Sequence, residues 1–263
     1  MTNVIETPHQ QVPESGTSAL LLLAHGSIDP QAQESTRALA HAVGLSRACR
    51  VEVAYLRHAR PRARHVLGTL AETGHDRVVV VPLLLTSAFH ARVDLPRALS
   101  DPPAPVPVVT PVLGSPPGEP DARLVAALRR RLTDMDVEFD AVVVAAAGSS
   151  DSDACASVTA MASALGANLG LPCLAGFAST ASPTAAEAVA QLRLAGARRV
   201  VVASYCFAPG LLFRRAADAS TEAGAVGISE PLGDAPELVE LILERFHEAG
   251  DVQAGTAGSA DRL

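Results

Sequence analysis

The chain contains no lysine and no tryptophan. All 21 of its basic residues are arginine, against 28 Asp and Glu, and the formal net charge is −7. A Walker-type phosphate loop depends on a lysine reaching the phosphates, so the missing lysine excludes that route to ATP-driven chemistry in this chain. Aromatic residues make up 3% of the sequence, too few for a base-stacking platform. The acidic balance also lacks the basic footprint of a general nucleic-acid binder, so no nucleic-acid partner is expected. No window approaches the ~18 consecutive apolar residues of a membrane span, and no membrane association is expected. The four cysteines, Cys49, Cys155, Cys173 and Cys206, are scattered and form no Cys-x-x-Cys. Zinc ribbons and dithiol redox motifs therefore have no support, and unpaired thiols fit a reducing, cytoplasmic location. Residues 1–18 lack the apolar centre of a signal peptide. Like residues 250–263, they are expected to form a disordered tail.

What is present is apolar and repeated. The hydrophobic fraction is 48% and the mean hydropathy +0.24, enough for a sizeable core. Shifted by 122 residues, the chain matches itself: over 26–92 the ungapped register holds 19 identities in 67 positions. Gly26-Ser27-x-Asp29 meets Gly148-Ser149-x-Asp151, Pro61 meets Pro183, Gly74 meets Gly196, Arg77-Val78-Val79-Val80 meets Arg199-Val200-Val201-Val202, and Arg92 meets Arg214. The sequence thus divides into homologous halves, 19–133 and 139–249.

Each half reads as apolar strands alternating with helices. The first gives strands at 19–24, 51–56, 78–85 and 106–112. Its helices fall at 31–45, from Pro61 to Gly74, at 92–99, and at 123–132, where Leu124, Leu128 and Leu132 form one stripe. The second gives strands at 141–147, 172–177, 199–207 and 225–229, with helices at 153–168, 183–195 and 236–248. Strands that are apolar on both faces and separated by helices imply parallel sheets covered on both sides. The expected fold class is α/β, as two similar doubly wound lobes of about four strands. In a 2-1-3-4 strand order, ligands bind beyond the carboxyl ends of the first and third strands.

Two histidines fall at that point. His25 follows the first strand directly, and His90 lies five residues past the third. Converging imidazoles suit a borderline divalent metal such as Fe, Co, Ni or Zn, or accept protons near neutral pH. The second half carries Ala147 and Leu212 at the equivalent positions. The scaffold residues survive in both copies whereas the histidines do not, which places the chemistry in the first half. The segment from Arg57 to His65 holds Arg57, Arg60, Arg62 and Arg64, with His58 and His65 and no acid. It leaves the second strand on the same rim and, with Arg92, is expected to attract an anionic ligand through carboxylate-matching guanidinium forks.

Three stretches carry a family resemblance: Leu-Leu-Leu-Ala-His-Gly-Ser-x-Asp-Pro at 21–30, Val-Val-Val-Val-Pro-Leu-Leu-Leu at 78–85, and His90-x-x-x-Asp94-x-Pro96. Together with Pro-x-Leu-Gly at 111–114, echoed at Pro231-Leu232-Gly233, they resemble the ATP-independent sirohydrochlorin chelatases of the CbiX and SirB type. The resemblance spans 19–249. It implies two α/β lobes facing each other across a cleft, and insertion of Fe2+ or Co2+ into sirohydrochlorin, an anionic tetrapyrrole with eight carboxylates. Iron is the expected metal; cobalt insertion for cobalamin synthesis and a non-catalytic tetrapyrrole or metal carrier are the alternatives, and Ni2+ is a further candidate ion. The resemblance also implies metal-binding and proton-accepting roles for His25 and His90. Ser27, Ser87 and Phe89 would join Arg57, Arg60, Arg62, Arg64 and Arg92 around the macrocycle. No cofactor beyond the metal substrate is expected, and the chain would act as a monomer or homodimer. One position departs from the pattern: relatives often carry a Glu shortly after the second strand, and here Arg57 stands in its place, beside His58.

Overall fold

The computed structural model describes residues 18–46, 49–87, 90–100, 106–114 and 119–260. Two four-stranded sheets, each wholly parallel, organise the molecule. The first contains β1 (Ser18–Ala24), β2 (Arg50–Tyr55), β3 (Arg77–Leu83) and β4 (Val108–Val109) in the order β2-β1-β3-β4. The second repeats it with β5 (Ala141–Ala146), β6 (Cys173–Phe177), β7 (Val200–Ser204) and β8 (Gly227–Ile228), ordered β6-β5-β7-β8. This is the expected doubly wound class, and the switch point lies between β1 and β3.

Strand periodicity decides which side chain faces which layer. Along β1, Leu20, Leu22 and Ala24 face a core shared by both halves, while Ala19, Leu21 and Leu23 face an outer cluster. Four helices fill the shared layer: α1 (Pro30–Ser46), α4 (Ala122–Thr133), α5 (Ser152–Leu169) and α8 (Pro236–Ala260). Outside the first sheet lie α2 (Ala63–Glu72) and α3 (Leu95–Ala98); outside the second lie α6 (Ala185–Leu194) and α7 (Leu211–Glu222). The four leucines Leu20 to Leu23 are fully buried, and complete burial of each contributes about 1.5–3 kcal/mol.

The closing helices change partners. Leu124, Leu128 and Leu132 of α4 are buried as their spacing implies, but α4 packs on β7, α5 and α8. Helix α8 packs on β3, α1 and α4. Each half therefore lends its last helix to the other, and the sequence boundary at 133–139 does not divide the packing. Arg130 donates to Glu237, Arg131 to the Leu232 carbonyl, Arg77 to the Ala249 carbonyl, and Arg123 pairs with Glu244.

Several element limits differ from the sequence reading. Pro61 does not open α2: the Arg60–Pro61 bond is cis, the Pro61 carbonyl accepts the Tyr55 N–H, and the helix starts at Ala63. Helix α7 had no counterpart in the sequence reading, because its buried stripe consists only of Ala216 and Ser220. The segment 92–99 splits into one π-helical turn, His90–Asp94, and the short α3. The expected tail after 249 is helical to Ala260, since a glycine at 250 only weakens a helix, by about 1 kcal/mol relative to Ala, and no proline follows to stop it. Residues 1–17 and 261–263 lie outside the described residues.

Candidate metal and substrate site

The site is built from the loops at the carboxyl ends of β1, β2 and β3. His25 leaves β1 half-buried, and the backbone of the next loop is bonded to it: the Leu56 N–H donates to the Ala24 carbonyl and the Arg57 N–H to the His25 carbonyl. Gly26 makes this approach feasible. Its φ is +91°, and a Cβ there would sit 1.9 Å from the Arg57 carbonyl oxygen, so only glycine fits. The β2 loop then turns through His58, whose φ of 58° is unusual for a residue with a side chain. That turn sets the His58 ring 5.8 Å from the His25 ring, edge-on at 81°. The two imidazoles stand at the switch point of the first sheet. His90 opens the π-helical turn after β3, so its backbone begins the third rim loop. Among the described residues, no cluster of three or more His, Cys, Asp or Glu forms a ready metal cage.

The second half reproduces this backbone without the histidines. Gly148 has φ +89° and the same 1.9 Å clearance, to the Ser179 carbonyl; Thr180 has φ 66°; Ser182–Pro183 is cis. Facing them stand Ala147 and Leu212 in place of His25 and His90, and Thr180 in place of His58. The sequence reading did not pair His58 with His25, and the absence of His58 from the second copy is no signal, since His41, His65 and His75 are absent there too.

The arginines do not act as one patch. Arg57 forks onto Asp94, with Nε to Oδ2 at 3.1 Å and Nη2 to Oδ1 at 2.7 Å, and Asp94 is buried. This pairing raises the Arg57 pKa above its ordinary value, first through the hydrogen bond and then through the carboxylate charge. The Arg57 cation is thus matched by the acid of the His90-x-x-x-Asp94 motif. Arg62 is turned back onto backbone, donating to the Leu56 carbonyl at 2.6 Å. Arg60 lines a groove of about 580 Å³ between α1 and β2, with Arg37, His41 and Tyr55, away from the β1–β3 switch point. Arg64 lies exposed in the first turn of α2. Arg92, in the π-helical turn, reaches across to Asp151 of the second half at 2.9 Å. Ser27 is a turn residue, its Oγ accepting the Asp29 N–H at 3.0 Å, as Ser149 does for Asp151. Ser87 is exposed in the loop after β3. Phe89 lies outside the described residues.

Comparison with known proteins agrees with this architecture. The CbiX family profile matches residues 19–135 and 141–249. The chain is 26% identical over 204 residues to the sirohydrochlorin cobaltochelatase of Priestia megaterium, a match covering 75% of this chain and 66% of that protein. It is 26% identical over 241 residues to the sirohydrochlorin ferrochelatase of Bacillus subtilis (strain 168), covering 88% and 91%. Among solved structures, SirB from Bacillus subtilis with Fe3+ superposes with a TM-score of 0.74 at 24% identity, covering 91% of this chain and 98% of that one. The sirohydrochlorin chelatase SirB from Bacillus subtilis subspecies spizizenii in complex with cobalt gives 0.71 at 23% identity, covering 91% and 97%. At these identities the structures establish a common fold.

Proposed function

The chain belongs to the CbiX family, the sirohydrochlorin chelatases, and from that membership we propose that it inserts Fe2+ into sirohydrochlorin without ATP. The observation carrying this reading is the pair of imidazoles, His25 and His58, in edge contact at the carboxyl end of β1, with His90 opening the adjoining loop. Imidazole nitrogen suits Fe2+, Co2+ and Ni2+ alike. The preference for iron rests on the end-to-end match to a two-lobed ferrochelatase.

Metal and macrocycle are both substrates. His25 and His90 take over coordination positions from water on the incoming ion, and His58 stands beside His25 to share that task. Metal insertion releases two pyrrole N–H protons, and each goes to its own acceptor, a neutral rim imidazole or water. Asp94 holds Arg57, so the rim presents no uncompensated charge at the position where relatives carry Glu.

A spectroscopic assay of sirohydrochlorin with Fe2+, Co2+ and Ni2+ in parallel tests the proposal. His25→Ala and His90→Ala should each lower the rate by roughly 10²-fold, in the range of a lost acid–base group, and His58→Ala by less. Substitutions at Ala147 should leave the rate unchanged. Full activity in the His25→Ala/His90→Ala double variant, corrected for spontaneous insertion, overturns the assignment. Faster turnover with Co2+ reassigns the metal. Product stopping at one equivalent identifies a carrier instead of an enzyme.

A further inference from the structure

Among the described residues, several ion pairs join the halves, and the repeat relates two of them, both at the rims. Arg92 Nη1 lies 2.9 Å from Asp151 Oδ2, and Arg214 Nη1 lies 2.6 Å from Asp29 Oδ2. Asp29 and Asp151 are equivalent under the 122-residue offset, and so are Arg92 and Arg214. Each aspartate is held in place by its own turn. Asp29 accepts the Gln31 N–H and Asp151 the Asp153 N–H, both at 3.0 Å, and a serine Oγ braces each loop. Their side chains are 11% and 22% exposed, against 49% and 55% for the arginines. The acids are therefore fixed and the guanidiniums half in water. The rims also meet where Ser35 Oγ donates to the Phe207 carbonyl at 3.4 Å, next to the loop that leads to Arg214.

We propose that Arg92 and Arg214 are carboxylate-binding arginines of the two rims, paired with Asp151 and Asp29 as a reciprocal clasp and transferred to a polycarboxylate tetrapyrrole when it binds. The clasp accounts for a feature of the repeat that the histidines leave unexplained. Among the described residues, the ion-pair partner of Asp29 lies in the second half and that of Asp151 in the first, and both copies keep both residue types although the second lacks the imidazoles. The inference rests on the tetrapyrrole reading for its ligand, while the clasp stands on geometry alone. An arginine that leaves a fixed aspartate for a substrate carboxylate exchanges one charge-assisted contact for another. Because both guanidiniums are partly solvated, the exchange loses little.

The test uses the full chain and uroporphyrin, an octacarboxylic porphyrin, as the probe, with a dicarboxylic porphyrin for comparison. Asp29→Asn/Asp151→Asn keeps a side-chain oxygen to accept the capping N–H of each turn but removes the charge that holds both arginines. Arg92→Gln/Arg214→Gln removes them. Hydrogen exchange of the rim segments around 25–31, 149–153 and 208–214 should speed up in both double variants. Uroporphyrin affinity should move in opposite directions, rising severalfold in the Asn pair and falling about tenfold or more in the Gln pair, as expected for the loss of two charge-assisted contacts. The dicarboxylic porphyrin should respond far less. Unchanged exchange in both variants overturns the clasp. Loss of affinity in both, or in neither, overturns the carboxylate role. A chain that fails to chelate but shows the opposite affinity changes overturns only the proposed activity.

Discussion

Single residues set the geometry of the imidazole pair. Gly26 and Gly148 both lie in the left-handed region with a carbonyl 1.9 Å from where a Cβ would be. Gly26→Ala should therefore cost at least the ~1–3 kcal/mol of a strained backbone position and displace the His58 loop. Thermal unfolding should show a lower Tm, and chelation should slow with it. Gly148→Ala should cost similar stability, with a smaller effect on rate. The cysteines make a second residue-scale prediction. Burial pushes the thiols of Cys173 and Cys206 up to about 12 from 9.0, and burial also raises the pKa of the Tyr205 hydroxyl. Between pH 9 and 12 the unfolded chain gives up these protons and the folded chain keeps them. Stability is thus whole below pH 9 and falls as the pH rises through that window. Thermal scans from pH 8 to 11 should show a declining Tm, with a shallower slope in Cys173→Ser/Cys206→Ser; a Tm that stays level contradicts this. At this scale the sequence pointed to His25 and His90 through their place after β1 and β3. It did not bring His58 to His25, because a positive φ and a ring contact are not visible as a pattern, nor did it show that Arg57 pairs with Asp94, 37 positions away.

At the scale of elements, the strands were legible and the helix partners were not. Runs such as Leu20 to Leu23 and Val78 to Val81 are apolar at every position, which only a strand buried on both faces requires. The stripe of Leu124, Leu128 and Leu132 identified α4 as amphipathic, but a stripe states that a face is buried and not what buries it. In the fold it lies against β7 and α8, while α8 covers β3. A fragment comprising residues 18–133 should accordingly fail to unfold cooperatively on its own, since Leu238, Leu241, Ile242 and Phe246 of α8 are missing from its core. Co-expression with residues 134–263 should restore a folded, chelating complex. A cooperative transition from the isolated first fragment would show that the exchange of helices is dispensable.

For the whole molecule, the shared helical layer joins the lobes through a common core, and the ion pairs Arg92–Asp151 and Arg214–Asp29 tie their rims. Among the described residues no helix is long and apolar enough to cross a membrane. The division of labour between the copies follows from this arrangement: one keeps the imidazoles, and the other supplies a facing rim with Asp151 and Arg214. The order β2-β1-β3-β4 came from the structure, whereas the sequence by itself determined the repeat, the parallel sheets of buried strands alternating with helices, and the place of His25 and His90 after the first and third strands. Those properties follow from local periodicity and from residues matched at one fixed offset. Only the tertiary structure decided which helix covers which sheet, that His58 meets His25, and that Arg57 and Arg92 are paired with carboxylates. Each of these is a contact between segments distant along the chain, and many partners would satisfy the same burial and charge until the packing selects one.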